Sequence, residues 1–373
     1  MFRSRSIKHA LLLLRHAEKV LRYRRDVMSE TARVDFERHI EDLHKAVRAR
    51  DERAIKEKGE ALDALVGRQA APHWELGWRE NVEVVLVAIV VAVAVRSYFI
   101  QPFKIPTGSM QPTLNGIIGH PSAEKSPNFL VQIAEFVIRG RNYIDVVARD
   151  DVRVDQITSQ KYLYFFTWSR VICDRGNYLI YAPPETLQQD FQVREGRHYQ
   201  RGDVIAQGWI DTGDQVFVDK FSYNFIKPRR GDVFVFRTNH IGPIVMRTEP
   251  GQDPPYYIKR LVGLSGDTLR VDPPLLYVKG ASDAAEHLQE RFGIRRVMGA
   301  KPPYRGYSLS PGQEYMTNPT QKFTVPAHAF FAMGDNSYNS WDSRFWGPVP
   351  EENLVGRGLL VYWPFAPHWG IIR

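Results

Sequence analysis

Ser109 stands in the stretch KIPTGSMQPTL, residues 104 to 114, with Gly108 before it and Met110 after it. Glycine opens backbone angles that other residues avoid, and Pro106 stiffens the approach. Such a turn can present a hydroxyl together with its own N–H, which is what a serine nucleophile and half of an oxyanion hole require. A serine in a glycine turn is more often structural, so the stretch needs a base to acquire chemical meaning. Ser109 is not in a G-x-S-x-G elbow, and no histidine stands in a recognisable partner motif. Lys259, in YYIKRLVGLSGD, is the better candidate, because Ile258, Leu261 and Val262 surround it with apolar side chains. A lysine with an ordinary pKa of about 10.4 is protonated at neutral pH and useless as a base. Burial penalises the ammonium, and lowering the pKa by about two to three units costs roughly 3–4 kcal/mol of packing energy. The alternative is a lysine at the strand edge with its ammonium in water.

A third stretch, AMGDNSYNSWDSRFWGPVP (332–350), crowds Gly, Asp, Asn, Ser and Arg between apolar runs. Asp342 and Arg344 can form a charge-assisted pair that fixes this loop. Ser340 could then orient a neutral amine.

These residues need a frame. From Phe103 onward the chain alternates short β-branched and aromatic runs with Gly, Pro, Asn and Asp: QVFVDKFSYNF, GDVFVFR, YYIKRLVGL, DTLRVD, LLYVKG, HAFFAMGDNS and RGLLVYWPF. That texture predicts a mainly β domain. Side chains alternate faces in a strand, so Lys259 and Leu261 are expected on one face and Ile258 and Arg260 on the other, with one of the two adjacent cations facing the interior. Insertions are expected at about 116–210, with strand-like pieces KYLYFFTW and GNYLIYA, and at about 281–310, where ASDAAEHLQERFGI predicts a helix over 281–294.

Upstream, VEVVLVAIVVAVAVRSYFI (82–100) carries no polar residue from Val84 to Val95. With Arg96 snorkelling, and with Tyr98, Phe99 and Phe103 on one side and Trp74, Trp78 and Arg79 on the other, it approaches the ~20 residues of a spanning helix. A buried valine-rich strand is the alternative. Lys and Arg crowd the N-terminal side, so the positive-inside rule places residues 1–80 in the cytoplasm, a transmembrane helix at 81–101 and an extracytoplasmic domain at 102–373. Residues 1–80 read as one or two solvated helices, and HALLLLRHAEKVLRYRRD can lie on an anionic membrane face. A cytosolic helical hairpin fits the same residues. The apolar core ALLLL is too short for a cleavable signal peptide.

The net charge of +8 suggests an anionic neighbour, nucleic acid or lipid. Cys173 is the only cysteine, which excludes an internal disulfide and any multi-thiolate zinc site. No H-E-x-x-H, Walker A or G-x-G-x-x-G pattern occurs, so no metal or other cofactor is indicated.

Taken in order, the apolar run, P-T-G-S-M-x-P-T-L, DQVFVDKFSYNFIKPRRGDVFVF, YIKRLVGLSGDTL and GDNSYNSWDSRFWGPVP resemble type I signal peptidase. This is the bacterial membrane-bound serine protease with a Ser/Lys dyad that removes signal peptides from exported proteins. The resemblance implies Ser109 as nucleophile, Lys259 as general base, Thr107 as the hydroxyl assisting the Ser109 N–H at the oxyanion, Ser340 as holder of the lysine amine, and Asp342 with Arg344 as brace. It places Ile105, Met110 and Ile258 in shallow pockets that accept small residues, as in Ala-x-Ala sites. It further implies a β-rich signal-peptidase or LexA-like catalytic fold, no cofactor, and a single pass through the bacterial inner membrane with the catalytic domain on the periplasmic side. The partners implied are preprotein signal peptides and anionic membrane lipids, with contact to the secretion machinery allowed and no nucleic acid. Ser265 departs from the family's common proline in the G-x-P-G-D turn, and Ser337 and Tyr338 replace more polar residues. Two other readings use the same residues: an inactive membrane-anchored β scaffold, and a LexA-like self-cleaving regulator. The second lacks a convincing helix-turn-helix in residues 1–80.

Overall fold

The computed structural model describes residues 5–69, 73–162, 166–248, 252–365 and 367–373. Contacts divide the chain into two units, Met1–Ala92 and Val93–Arg373.

The first unit contains α1 (Arg5–Arg24), α2 (Glu30–Ala49) and α3 (Glu52–Gln69). In α2 the buried residues Phe36, Ile40, Leu43 and Ala46 recur at three- and four-residue spacing, one stripe of a helix. They pack with Ala10, Leu13, Leu14 and Ala17 of α1 and with Ile55, Leu62 and Val66 of α3. The apolar face of α1 is therefore spent inside a three-helix core, which removes the expected surface for lying on a membrane. Three helices form where one or two were expected because the breaks are made without Gly or Pro. Ser29 caps α2 by accepting from the Ala32 N–H, at 3.3 Å. Arg50 ends α2 in the left-handed conformation, and the Asp51 carboxylate then accepts from the N–H groups of Arg53 and Ala54 to start α3.

Helix α4 (His73–Tyr98) holds the apolar window Asn81–Tyr98, long and apolar enough to cross a membrane and with none of it buried. It ends at Tyr98, three residues short of the expected helix, because Ile100 already pairs with Asp219 in the sheet. Trp78 is exposed; the side chains of Trp74 and Arg79 lie outside the described residues.

In the second unit the chain continues through β1 (Ile100–Lys104), the turn Gly108–Met110, β2 (Ile117–Pro121), helix α5 (Phe129–Arg139), β3 (Arg141–Val147), β4 (Val152–Tyr162), β5 (Phe166–Cys173), β6 (Gly176–Ile180), β7 (His198–Tyr199), β8 (Val204–Thr212) and β9 (Gln215–Asp219). It then forms β10 (Val233–Arg237), β11 (Tyr256–Gly263), β12 (Thr268–Asp272), β13 (Leu275–Lys279), β14 (His287–Leu288), β15 (Phe323–Thr324), β16 (Ala329–Met333), β17 (Val349–Pro350), β18 (Leu354–Trp363) and β19 (Gly370–Ile371). Among the described residues the architecture is mainly β, as expected. The main antiparallel sheet runs β1-β9-β18-β10-β11-β16-β17, with β19 on β18. A second sheet runs β14-β13-β12-β15.

Strand β10 shows why the main sheet reads as unbroken apolar runs. Val233 and Val235 enter one core with Ile105, Met110 and Leu114, while Phe234 and Phe236 enter another with Leu261, Phe330 and Trp346. Both faces are covered, so alternation of side chains gives no polar face.

The first insertion forms the sheets β2-β8-β3 and β6-β5-β4-β7 around its own core, including Ile144, Val171, Leu187 and Ile210. Of the expected strand KYLYFFTW, residues 163–165 lie outside the described residues. The helix expected over 281–294 does not form. Gly280 and Asp283 make a turn, His287–Leu288 pairs with β13, and Glu286 binds Arg270 at 2.6 Å and Lys322 at 3.0 Å. Pairing with a sheet edge and two cations overrides the helical propensity of the alanine-rich stretch; the helix there is Phe292–Met298.

Candidate active site

The serine turn is held from below. The Ile105 N–H donates to the Asp214 carbonyl, and the Ile117 N–H to the Pro106 carbonyl. Gly116 is the glycine this approach requires: a Cβ there would stand 2.2 Å from the Thr107 carbonyl carbon. Gly108, expected to supply unusual backbone angles, has no left-handed φ, and its Cβ would meet only the flexible end of the Gln111 side chain. The turn is shaped from its far side, where the sequence carries no local cue.

Ser109 is 7% exposed and Lys259 6%. The two residues lie 150 positions apart in sequence, yet the Lys259 Nζ donates to the Ser109 Oγ at 2.5 Å. The Thr107 hydroxyl, on an exposed residue, is 3.5 Å from the same oxygen. Burial lowers the Lys259 pKa to about 8; Asp342 and Asp335 oppose the shift and Arg344 reinforces it.

The loop expected to brace the site does so through Asp342 and Arg344, both fully buried. The Arg344 Nε and Nη2 donate to the two carboxylate oxygens at 2.8 and 2.9 Å, a bidentate pair. Burial alone would raise the Asp342 pKa, but the Arg344 charge and hydrogen bonds, the Gly334 N–H and Lys259 hold it below the ordinary carboxylate range. The rest of the Arg344 guanidinium donates to the carbonyls of Ser308 and Ser337 at 2.5 and 2.6 Å. The loop also grips the serine turn directly. The Asn336 N–H donates to the Ser109 carbonyl at 3.0 Å, and its side-chain amide to the Gly108 carbonyl at 3.2 Å.

Ser340 is buried, but its hydroxyl has no hydrogen-bond partner among the described residues. It faces Gly334, where a Cβ would lie 2.2 Å from the Ser340 Oγ and 2.5 Å from the Ser109 carbonyl oxygen. The expected bond from Ser340 to the lysine amine is therefore not made, although the residue sits beside the serine turn. Ile105 and Met110 are buried in one core, with Ile258 partly buried against it.

One expectation about β11 fails. Both adjacent cations are interior, because both faces of the sheet are covered: Lys259 meets Ser109, and Arg260, on the opposite face, is wholly buried. Arg260 Nε and Nη2 donate to Asp335 at 2.7 and 2.5 Å, and its Nη1 to the Gly231 carbonyl at 2.6 Å. Thr113, four residues after Ser109, donates its hydroxyl to Asp335 and accepts from Arg296 at 2.8 Å. Sequence reasoning missed Asp335. The available cue was that a buried arginine needs an acid, and Asp335 is the other carboxylate in the loop that holds Asp342.

The sequence matches the family described as "Signal peptidase, peptidase S26" over residues 78–120 and 187–363. Ser109 lies in the first stretch, and Lys259, Asp335 and the 340–344 loop in the second. The unmatched residues between them, 121–186, narrow the expected insertion. Signal peptidase I of Leptolyngbya laminosa is 34% identical over 172 residues, covering 46% of this chain and 70% of the relative. Signal peptidase I of Pseudomonas fluorescens is 33% identical over 198 residues, covering 42% and 61%. Thylakoidal processing peptidase 1 of Arabidopsis thaliana is 32% identical over 157 residues, covering 42% and 38%. The chain thus spans less than two thirds of the second and third of these. A solved signal peptidase I from Enterococcus faecalis aligns with 35% of this chain and 97% of its own at 23% identity, with a TM-score of 0.25, too low to carry an argument about the fold. With more than half of its length matched, and with both halves of the buried serine-lysine contact inside the matched stretches, the chain belongs to the signal peptidase family, peptidase S26.

Proposed function

We propose that the chain is a membrane-bound endopeptidase that removes signal peptides from exported preproteins after small residues, at Ala-x-Ala type sites. Ser109 is its nucleophile and Lys259 its general base. The observation that carries this reading is the 2.5 Å contact between a buried lysine amine and a buried serine hydroxyl, with the lysine pKa lowered to about 8. An extended substrate segment lies along a strand edge beside Ser109, where main-chain bonds set the register. Neutral Lys259 takes the hydroxyl proton as the Ser109 Oγ bonds to the scissile carbonyl carbon. The Ser109 N–H and the Thr107 hydroxyl donate to the resulting oxyanion. Collapse breaks the peptide bond, and the proton held by Lys259 passes to the departing amine. Water deprotonated by the same lysine then cleaves the ester and restores the serine. Asp342 and Arg344 hold the loop that fixes the serine turn.

We place residues 1–80 on the cytoplasmic side of the bacterial inner membrane, the Asn81–Tyr98 part of α4 across it, and the β-rich unit on the periplasmic side. Only Phe99, β1 and Ile105–Gly108 separate α4 from Ser109. The nucleophile thus stays near the membrane face, where the cleavage site of an embedded signal peptide emerges.

The test is cleavage of a model preprotein with an Ala-x-Ala site by the full chain in lipid, paired with mass spectrometry after a serine-directed acylating inhibitor. Ser109→Ala is expected to lose at least about 10³-fold in kcat/KM, and the wild type to carry one adduct on Ser109. Near-wild-type cleavage by Ser109→Ala, or folded wild type without an adduct, would favour the inert scaffold. Thr107→Val is expected to lower kcat by about 10²–10³-fold while still forming the adduct; an unchanged kcat would remove Thr107 from the oxyanion site.

A further inference from the structure

Helix α5 is built inside out. Asn128 caps its start by accepting from the Val131 N–H at 3.0 Å, and Gly140 ends it with φ 66°. Its polar residues turn toward the protein: Gln132 donates to the Pro127 carbonyl at 2.8 Å, and Glu135 binds Tyr143, Arg139 and Arg141. Most of its apolar residues turn away. Phe129 and Leu130 are 72% and 76% exposed, and Ile133, Val137 and Ile138 are exposed as well. A helix bound for water has the reverse arrangement, and so many adjoining exposed apolar side chains mark an interaction surface.

The helix is fixed to the catalytic sheet at one end. The Trp363 Nε1 donates to the Val137 carbonyl at 2.8 Å, the Phe365 N–H donates to the Ile138 carbonyl at 2.9 Å, and the Phe136 and Trp363 rings meet edge to face at 5.6 Å. Exposed Phe365, Trp369 and Ile371 extend the apolar surface. Trp363 lies opposite Gln215, which lies opposite Lys104, while Ile100 at the exit of α4 begins the same strand as Lys104. Two strand spacings across and four residues along put this attachment on the order of 15 Å from the end of α4. At the C-terminal end of α5, Arg139 and Arg141 line a cavity of about 300 Å³ with Asp211 and Asp214; the arginines pair with Glu135 and Asp211, a collar of both charges of the kind that meets a zwitterionic headgroup layer.

We propose that α5 lies in the plane of the outer leaflet, its Phe129, Leu130, Ile133 and Val137 face among the lipid chains, as a second membrane contact of the catalytic unit. Eleven residues make a helix about 16 Å long, far short of a span but suited to lying in the interface. The helix falls within the residues that the signal peptidase family does not match, so this contact is a feature of the chain's own insertion. The inference rests on the anchoring by α4 and not on the dyad.

The test uses the full chain with Cys173→Ser, reconstituted in vesicles of phosphatidylethanolamine and phosphatidylglycerol. A nitroxide is placed in turn at Leu130→Cys, Ile133→Cys, Val137→Cys, Val90→Cys in α4 and Arg175→Cys on an exposed turn. Collision with oxygen is compared with collision with a water-soluble nickel chelate. The oxygen-to-nickel ratio at 130, 133 and 137 is expected to exceed that at 175 several-fold and to approach that at 90. Nickel access at 130, 133 and 137 equal to that at 175 would overturn the proposal, as would shielding from both reagents, which a second copy or a protein partner on α5 would produce. A water-exposed label at 90 would overturn the anchoring as well.

Discussion

Lys259→Met is expected to lower kcat/KM for a preprotein by about 10²–10⁴-fold and at the same time to make the protein more stable at neutral pH. Methionine keeps much of the length and apolar volume and removes the amine. With the pKa near 8, about a tenth of the wild-type lysine is neutral at pH 7, against less than about 0.1% at the ordinary value. Wild-type activity should therefore climb as pH rises toward and past 8. The stability effect follows from linkage. The folded-state pKa lies below the unfolded value of about 10.4, so between pH 8 and that value the unfolded chain holds more protons, and stability rises with pH across the window. Below pH 8 the folded protein carries the whole penalty of a charged, buried amine, about 3 kcal/mol. The variant avoids that penalty. Thermal unfolding in detergent should show a higher midpoint for Lys259→Met at pH 7, with the gap closing as pH approaches 10. A lower midpoint at pH 7 would mean that the lysine serves as a structural cation, and the general-base role would fall with it.

Arg260→Met should be the most destabilising single replacement near the site, costing about 3–5 kcal/mol by leaving the Asp335 carboxylate buried without its cation. That is a large share of the roughly 5–15 kcal/mol by which a domain is stable. The guanidinium joins β11 to the 231 turn and, through Thr113 and Asp335, to segments flanking Ser109 and Asn336. Its loss should therefore lower kcat in whatever fraction folds. Arg260→Met combined with Asp335→Leu should cost less than the sum of the two singles, because the pair leaves together. Denaturant midpoints of the four proteins measure this; additive losses would show that the ion pair is not the source of the effect.

The strands were legible because their apolar runs are long and punctuated by Gly, Pro and Asp, and the Ser109 and Lys259 pairing was legible because each stretch is locally odd. Asp342 and Arg344 announce each other at close spacing. What stayed hidden depends on tertiary cover. Alternation along YIKRLV predicts one outward cation only if one face of the sheet meets water, and here neither does. The region around 281–294 has helical composition, but a sheet edge and two cations offered its residues better partners. The break between α2 and α3 falls at Arg50 and Asp51, where no Gly or Pro marks the stop and the Asp51 cap is one charged residue among many. Ser340 shows the opposite failure: the resemblance assigned it a bond that its side chain does not make.

The grip of Asn336 on Gly108 joins residues 228 positions apart, and this has a consequence for the order of events during synthesis. The serine turn is synthesised 228 positions ahead of the residue that pins it. Until the two meet, the Ser109 turn lacks its clasp, and Lys259 lacks the two carboxylates of Asp335 and Asp342 that temper its burial. The contact between Ser109 and Lys259 and the clasp on the serine turn are thus both closed by segments far downstream of the turn, so the site is completed only as the long-range sheet pairings form.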